Sequence, residues 1–183
     1  FVVIAASPEI TFSKNYIYNL NSTWVGYSKV GDDLIFYYDV ILDGEKTRIA
    51  VDEGSKNLPM AANTLYNYNY DEAKFNGDTN YDVKAGVYSL NAMPAGNYAS
   101  LSNIFINPNS NVIVGTAGAA GTQYLYHDAK IVDITDKNNV ISNATLKAGM
   151  DVTVVYDVEN GLRIAKTIYI TNNKEDTTSS GGD

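Results

Sequence analysis

Two strand–turn–strand units constrain this chain more than any other feature. Residues 33–42 are β-branched and aromatic, stop at Asp43-Gly44, and return as residues 45–51. Residues 151–158 run into Asn160-Gly161 and return as residues 162–170. Asp-Gly and Asn-Gly suit two-residue hairpin turns because both central positions need positive φ, which Gly, Asn and Asp tolerate best. In the second returning strand, alternation puts Leu162, Ile164, Lys166, Ile168 and Ile170 on one face and Arg163, Ala165, Thr167 and Tyr169 on the other. The first set reads as the core face, with Lys166 out of place in it.

Shorter strands are expected over 64–70, 85–90, 101–106, 111–114 and 123–134, with a turn at Asn107-Pro108-Asn109. The one helical candidate, 61–73, is broken by the alternation of tyrosine and asparagine. Many short strands between frequent turns predict an all-β fold, either an antiparallel sandwich or small barrels built from hairpins. An internal echo supports two related modules. Residues 29–40 and 147–158 share the frame Lys-x-Gly-x-Asp-(Leu/Val)-x-x-x-Tyr-Asp-Val. The expected division is a first, incomplete β module over 1–58 and a second over 59–171. Residues 172–183, with no apolar side chain, read as a disordered linker or tail. Phe1-Val2-Val3-Ile4-Ala5-Ala6 reads as a strand from within something longer, and lacks the basic flank of a signal sequence.

Composition removes whole classes of function. The net charge of −8 disfavours nucleic acid and anionic membrane as partners. No cysteine is present, so disulfides, thiol catalysis and Cys–zinc sites are excluded. One histidine, His127, cannot make a multi-histidine metal centre alone, and it reads as a strand residue at a sheet surface. No G-x-S-x-G elbow occurs, and the glycine-rich run 115–121 is followed by no helix that could cradle phosphate.

Three further groups are candidate sites. Asn76, Asp78, Asn80 and Asp82 place oxygen ligands at alternate positions, as a calcium loop does, but lack the glycine and glutamate of an EF-hand. Ordinary turns use the same residues. Tyrosines are plentiful beside Trp24, and Tyr66, Tyr68 and Tyr70 would share one strand face that could stack on sugar rings; packing of strand tyrosines with the hydroxyl kept wet is the favoured account of them. Glu9, Glu45, Glu53, Glu72, Glu159 and Glu175 are scattered and form no glycosidase motif. The reading therefore assigns no catalytic, cofactor-binding or metal-binding residue and no cofactor.

Residues 146–157, then Gly161 and residues 165–170, resemble the repeated β modules of large Gram-positive cell-surface and S-layer-like proteins that often carry S-layer homology domains elsewhere. Residues 26–44 and 84–90 are similar to the same repeats, so the resemblance covers about half of the chain. The anchoring motif of the S-layer homology domain is missing, so wall binding does not carry over. The resemblance implies an extracellular, non-catalytic structural module that packs against other modules of its chain or against neighbouring copies. The alternative is an adhesin-like module that binds a glycan or a host protein through its tyrosine-rich strands or loops.

Overall fold

The computed structural model of the chain describes residues 14–54, 59–107, 109–114 and 122–173. Within them the fold is all-β, in two multi-stranded sheets joined by two short 3-10 turns and loops.

The first sheet holds β1 (Tyr16–Asn19), β2 (Gly26–Val30), β3 (Asp33–Leu42), β4 (Glu45–Asp52), β5 (Thr64–Asp71) and β6 (Val87–Ala92). β3 pairs along one edge with β4. Its other edge takes β2, then β1, so these two are one strand interrupted by residues 20–25. β1 also pairs with β5, β5 with β6, and β6 with β4 in parallel through Val51 and Tyr88. The pairings close a ring, β1-β3-β4-β6-β5-β1, around Tyr38, Val40, Ile49, Val51, Tyr66 and Leu90.

The second sheet holds β7 (Tyr98–Leu101), β8 (Phe105–Asn107), β9 (Val112–Val114), β10 (Gln123–Leu125), β11 (Lys130–Asp133), β12 (Ile141–Ser142), β13 (Asp151–Glu159) and β14 (Leu162–Asn172). β7 pairs with β13 and β8 with β9. Between them Ile104 keeps the ladder, donating to the Met150 carbonyl and accepting from the Gly149 N–H, both at 2.9 Å. β7 and β8 are thus one bent strand. β10 and β11 likewise follow one another along β14, both parallel to it. The second ring therefore runs β7/β8, β9, β10/β11, β14, β13 and back. Counted by ring position in chain order, both rings read 1-2-3-5-4-1 with positions three and five parallel. This is the strand order of a five-stranded Greek-key barrel of the OB type.

Both glycine-turn hairpins form as expected. Asp43 and Gly44 take φ of 52° and 81°, and Asn160 and Gly161 take 53° and 77°. Several other expectations are corrected. β5 and β6 belong to the first ring, so the sheets do not divide at 58/59, and neither ring lacks a strand position. The echo aligns β3, second in its ring, with β13, fourth in its ring, so it joins strands that are not equivalent. The expected strand 101–106 breaks at 102–104, where the chain bends from one neighbour to the next. The expected strand 123–134 breaks at 126–129. Pro108, the glycine-rich run 115–121, the segment 1–6 and residues 174–183 lie outside the described residues.

The faces of β14 are corrected by a β-bulge. Val155 opposes Thr167 but Tyr156 opposes Ala165, which leaves Lys166 as the extra residue. Ala165, Ile168 and Ile170 consequently share the barrel interior with Val152, Val154 and Tyr156. Leu162, expected inside, is 54% exposed. The bulge is also where Lys166 finds its place: it leaves the ladder half-buried and reaches Glu159 at 3.7 Å.

The outward face of the second barrel packs on the first. Tyr18, Leu20, Ile41, Leu65 and Met93 form one buried cluster with Val132, Ile134, Val155 and Tyr169. The tip of the β3–β4 hairpin extends this seam. The Ser142 hydroxyl donates to the Gly44 carbonyl at 2.6 Å, and the Lys130 ammonium donates to the Asp43 carbonyl at 3.3 Å.

Candidate functional site

A concavity lies at the edge of this seam. It is a groove of about 390 Å³, with Tyr18 and Asn63 contributed by the first barrel and Ser100, Ser102, Asp151, Thr153 and Thr171 by the second. Strand alternation explains its chemistry. Val155 and Thr153 point to the same outward side of β13, with Tyr98 and Ser100 opposite them on β7. Val155 is in the dry seam; one step along each strand, threonine and serine replace apolar groups and the seam opens to polar walls.

The floor is unusual in its hydrogen bonding. Tyr18 is 3% exposed and Thr153 is 9% exposed, yet neither hydroxyl has a hydrogen-bond partner among the described residues. Neither hydroxyl is among the fully buried unpartnered atoms of the described residues, which are Asn19 Oδ1, Ser28 Oγ and Asn67 Oδ1, so both keep contact with solvent on the groove floor and are open to water or ligand. Burial alone pushes the Tyr18 phenol up to about 12. The Ser100 and Ser102 hydroxyls are also without a described protein partner. Other groups are engaged: Asp151 Oδ1 accepts from the Asn103 N–H at 2.9 Å, and Thr171 donates to the Asp151 carbonyl at 3.2 Å. Among the described residues no lysine or arginine lines the groove.

The residues singled out in the sequence are placed elsewhere. Tyr66, Tyr68 and Tyr70 form no open platform. Tyr66 is 5% exposed and its hydroxyl accepts from the Ala61 N–H at 2.9 Å. Tyr68 and Tyr70 each pack on Tyr88 with ring centroids 4.9 Å apart. Tyr70 is 48% exposed, but its hydroxyl is tied to the Ala85 carbonyl at 3.0 Å. Trp24 lies apart from them, against Phe36 at 4.8 Å.

Asp78, the centre of the calcium-like loop, is used by the turn itself. Its backbone exchanges two hydrogen bonds with Val83, at 2.8 and 2.9 Å. Oδ1 accepts from the Asn80 N–H and Oδ2 from the Tyr37 hydroxyl, both at 2.9 Å. Among the described residues no three His, Cys, Asp or Glu side chains gather as a metal site. His127 is in a turn, not a strand, half-exposed and 3.0 Å from Asp128, its sequence neighbour. Of the glutamates, Glu9 and Glu175 lie outside the described residues, and Glu159 pairs with Lys166. The best-tied ion pair is structural. Arg48 grips both Asp39 oxygens across β3 and β4, at 2.8 and 3.2 Å, and donates to the Tyr81 carbonyl at 2.7 Å. The Asp39 hydrogen bond holds the guanidinium above its usual range.

Sequence reasoning missed the groove because its walls are serine and threonine brought together from residues 18, 63, 100–102, 151–153 and 171. No spacing in the chain marks them. No family model, no curated protein and no solved structure matches the chain.

Proposed function

We propose that the chain is a rigid, non-catalytic structural module of a bacterial cell-surface or S-layer-like protein, working outside the cell by packing against other modules or neighbouring copies. The observation that carries this reading is the seam. Two complete barrels are fused through a shared apolar cluster, with Tyr18 stacked on Tyr169 at 4.7 Å and the β3–β4 hairpin tip bonded into the second barrel. Such a seam fixes the angle between barrels, as a load-bearing repeat needs. The extracellular setting rests on the resemblance of the hairpin segments to surface-protein repeats. An acidic, cysteine-free chain is compatible with that setting.

Two measurements test this. Residual dipolar couplings on the purified chain should fit one alignment tensor for both barrels; two tensors would remove the rigid spacer. Antibodies against the chain should label intact cells that make the protein; labelling only after permeabilisation would remove the surface location.

A further inference from the structure

From the seam groove we infer a function beyond mechanical packing: it is a binding site for a neutral saccharide. The inference starts from the two hydroxyls on its floor. Tyr18 and Thr153 are each more than nine-tenths buried as residues, but their hydroxyls reach the solvent of the groove they line, and neither has a protein partner among the described residues. A fold that needed only to fill this space would place phenylalanine and valine there at no loss of shape. Hydroxyls held at the base of an open groove are matched instead to something that both donates and accepts hydrogen bonds.

The walls select among such partners. Ser100 and Ser102 add two more unpartnered hydroxyls, Asn63 adds a carboxamide, and Asp151 supplies the single charge, which is negative. Among the described residues no cationic side chain lines the groove. The lysines of the seam, Lys14, Lys130 and Lys166, surround a separate pocket of about 90 Å³ beside Asp43. An anionic ligand would therefore enter the groove against both the local carboxylate and the net charge of −8. A neutral sugar, with many hydroxyls and no charge, fits the donor and acceptor set, and a volume of about 390 Å³ holds one or two pyranose rings. The site differs from the Tyr66–Tyr68–Tyr70 face, whose rings are packed on the first barrel. It rests on the seam geometry and not on the surface location, so the two readings fail separately.

The test is a nitrogen-15 correlation spectrum of the whole chain. The probes are neutral oligosaccharides of glucose, galactose, mannose and N-acetylglucosamine, with hyaluronan as the anionic control. At least one neutral probe should shift the amides of residues 100–102 and 151–153 saturably, and hyaluronan should not. Tyr18→Phe with Thr153→Val removes two hydroxyls and keeps the shape; it should weaken that binding at least tenfold while leaving the melting temperature unchanged or higher. The inference is overturned if no neutral probe shifts these amides, if the double variant binds as the parent does, or if hyaluronan competes equally. It is also overturned if the double variant lowers the melting temperature by several degrees with binding intact, since the hydroxyls would then serve the fold.

Discussion

Tyr18 of the first barrel and Tyr169 of the second lie stacked, with centroids 4.7 Å apart and planes inclined by 29°. This pair joins two barrels whose interiors are otherwise separate clusters. Tyr169→Ala is expected to cost about 3–5 kcal/mol, the range for removing a buried aromatic. It should also uncouple the barrels. Trp24, the only tryptophan, reports on the first barrel alone. In the parent, urea transitions by tryptophan fluorescence and far-ultraviolet circular dichroism should coincide; in Tyr169→Ala they should separate. Coincident transitions in the variant would mean that the hairpin tip alone couples the barrels.

The same seam predicts a pH dependence. Burial pushes the Tyr18 phenol up to about 12 and Tyr88 to about 12, and raises Tyr169 well above the usual phenol value. A phenol whose pKa is raised by folding contributes its full stabilisation below the unfolded value near 10, and loses it as pH climbs toward the folded value. Stability should therefore be insensitive to these groups up to about pH 9 and fall between roughly pH 10 and 12, by at most about 1.4 kcal/mol per group per pH unit. Urea midpoints across this range check it. Tyr88→Phe should flatten the slope by about one group's share, and an unchanged slope would remove Tyr88 from the account.

These features differ in how far the chain itself announces them. The hairpins at Asp43-Gly44 and Asn160-Gly161 are legible because turn and strands lie in one short stretch of chain, 33–52 and 151–172, and each turn residue has a conformational reason to be there. The closure of the rings is not. β5 pairs with β1 across more than forty residues, and nothing in the Tyr-Asn alternation of 64–70 names that neighbour. The bulge at Lys166 hides behind a regular apolar alternation that would look the same without it. His127 looks like a strand residue because Tyr124 and Val132 flank it with strand-like residues, while the break at 126–129 comes from the change of position along β14. The groove was illegible because single serines and threonines carry no signal until two barrels bring them together.

Gly86 makes a separate prediction. Its φ is 104°, and a Cβ built there would lie 2.2 Å from the Tyr70 hydroxyl oxygen. The glycine thus lets Tyr70 lie over the 85–86 backbone and bond to the Ala85 carbonyl. Gly86→Ala should lower stability by about 1–3 kcal/mol from backbone strain and displacement of Tyr70. In a Tyr70→Ala background the clash vanishes and only the strain remains, so Gly86→Ala should cost less there. Equal cost in both backgrounds, read from thermal melts, would assign the whole effect to φ.

The bulge supplies the sharpest contrast between neighbouring residues. Because Val155 opposes Thr167 and Tyr156 opposes Ala165, removing Lys166 leaves every other side chain of β14 on its own face and removes this bulge, leaving only the second register shift at Thr171. The chain loses a half-buried lysine and its 3.7 Å pair with Glu159, a contact of little weight at the surface. Deleting Thr167 shortens the strand equally but moves Lys166 opposite Val155, under the first barrel, where Thr167 now bonds to the Tyr16 hydroxyl. An ammonium there loses water and would share the single carboxylate of the adjoining pocket, Asp43, with Lys14 and Lys130. Deletion of Lys166 is therefore expected to yield a folded protein within about 2 kcal/mol of the parent, a modest loss for a single-site change. Deletion of Thr167 should lower stability by several kcal/mol or prevent folding. Urea titration of both deletions decides the matter, and the reverse order would mean that the bulge's local twist, not the seam, sets the register of β14.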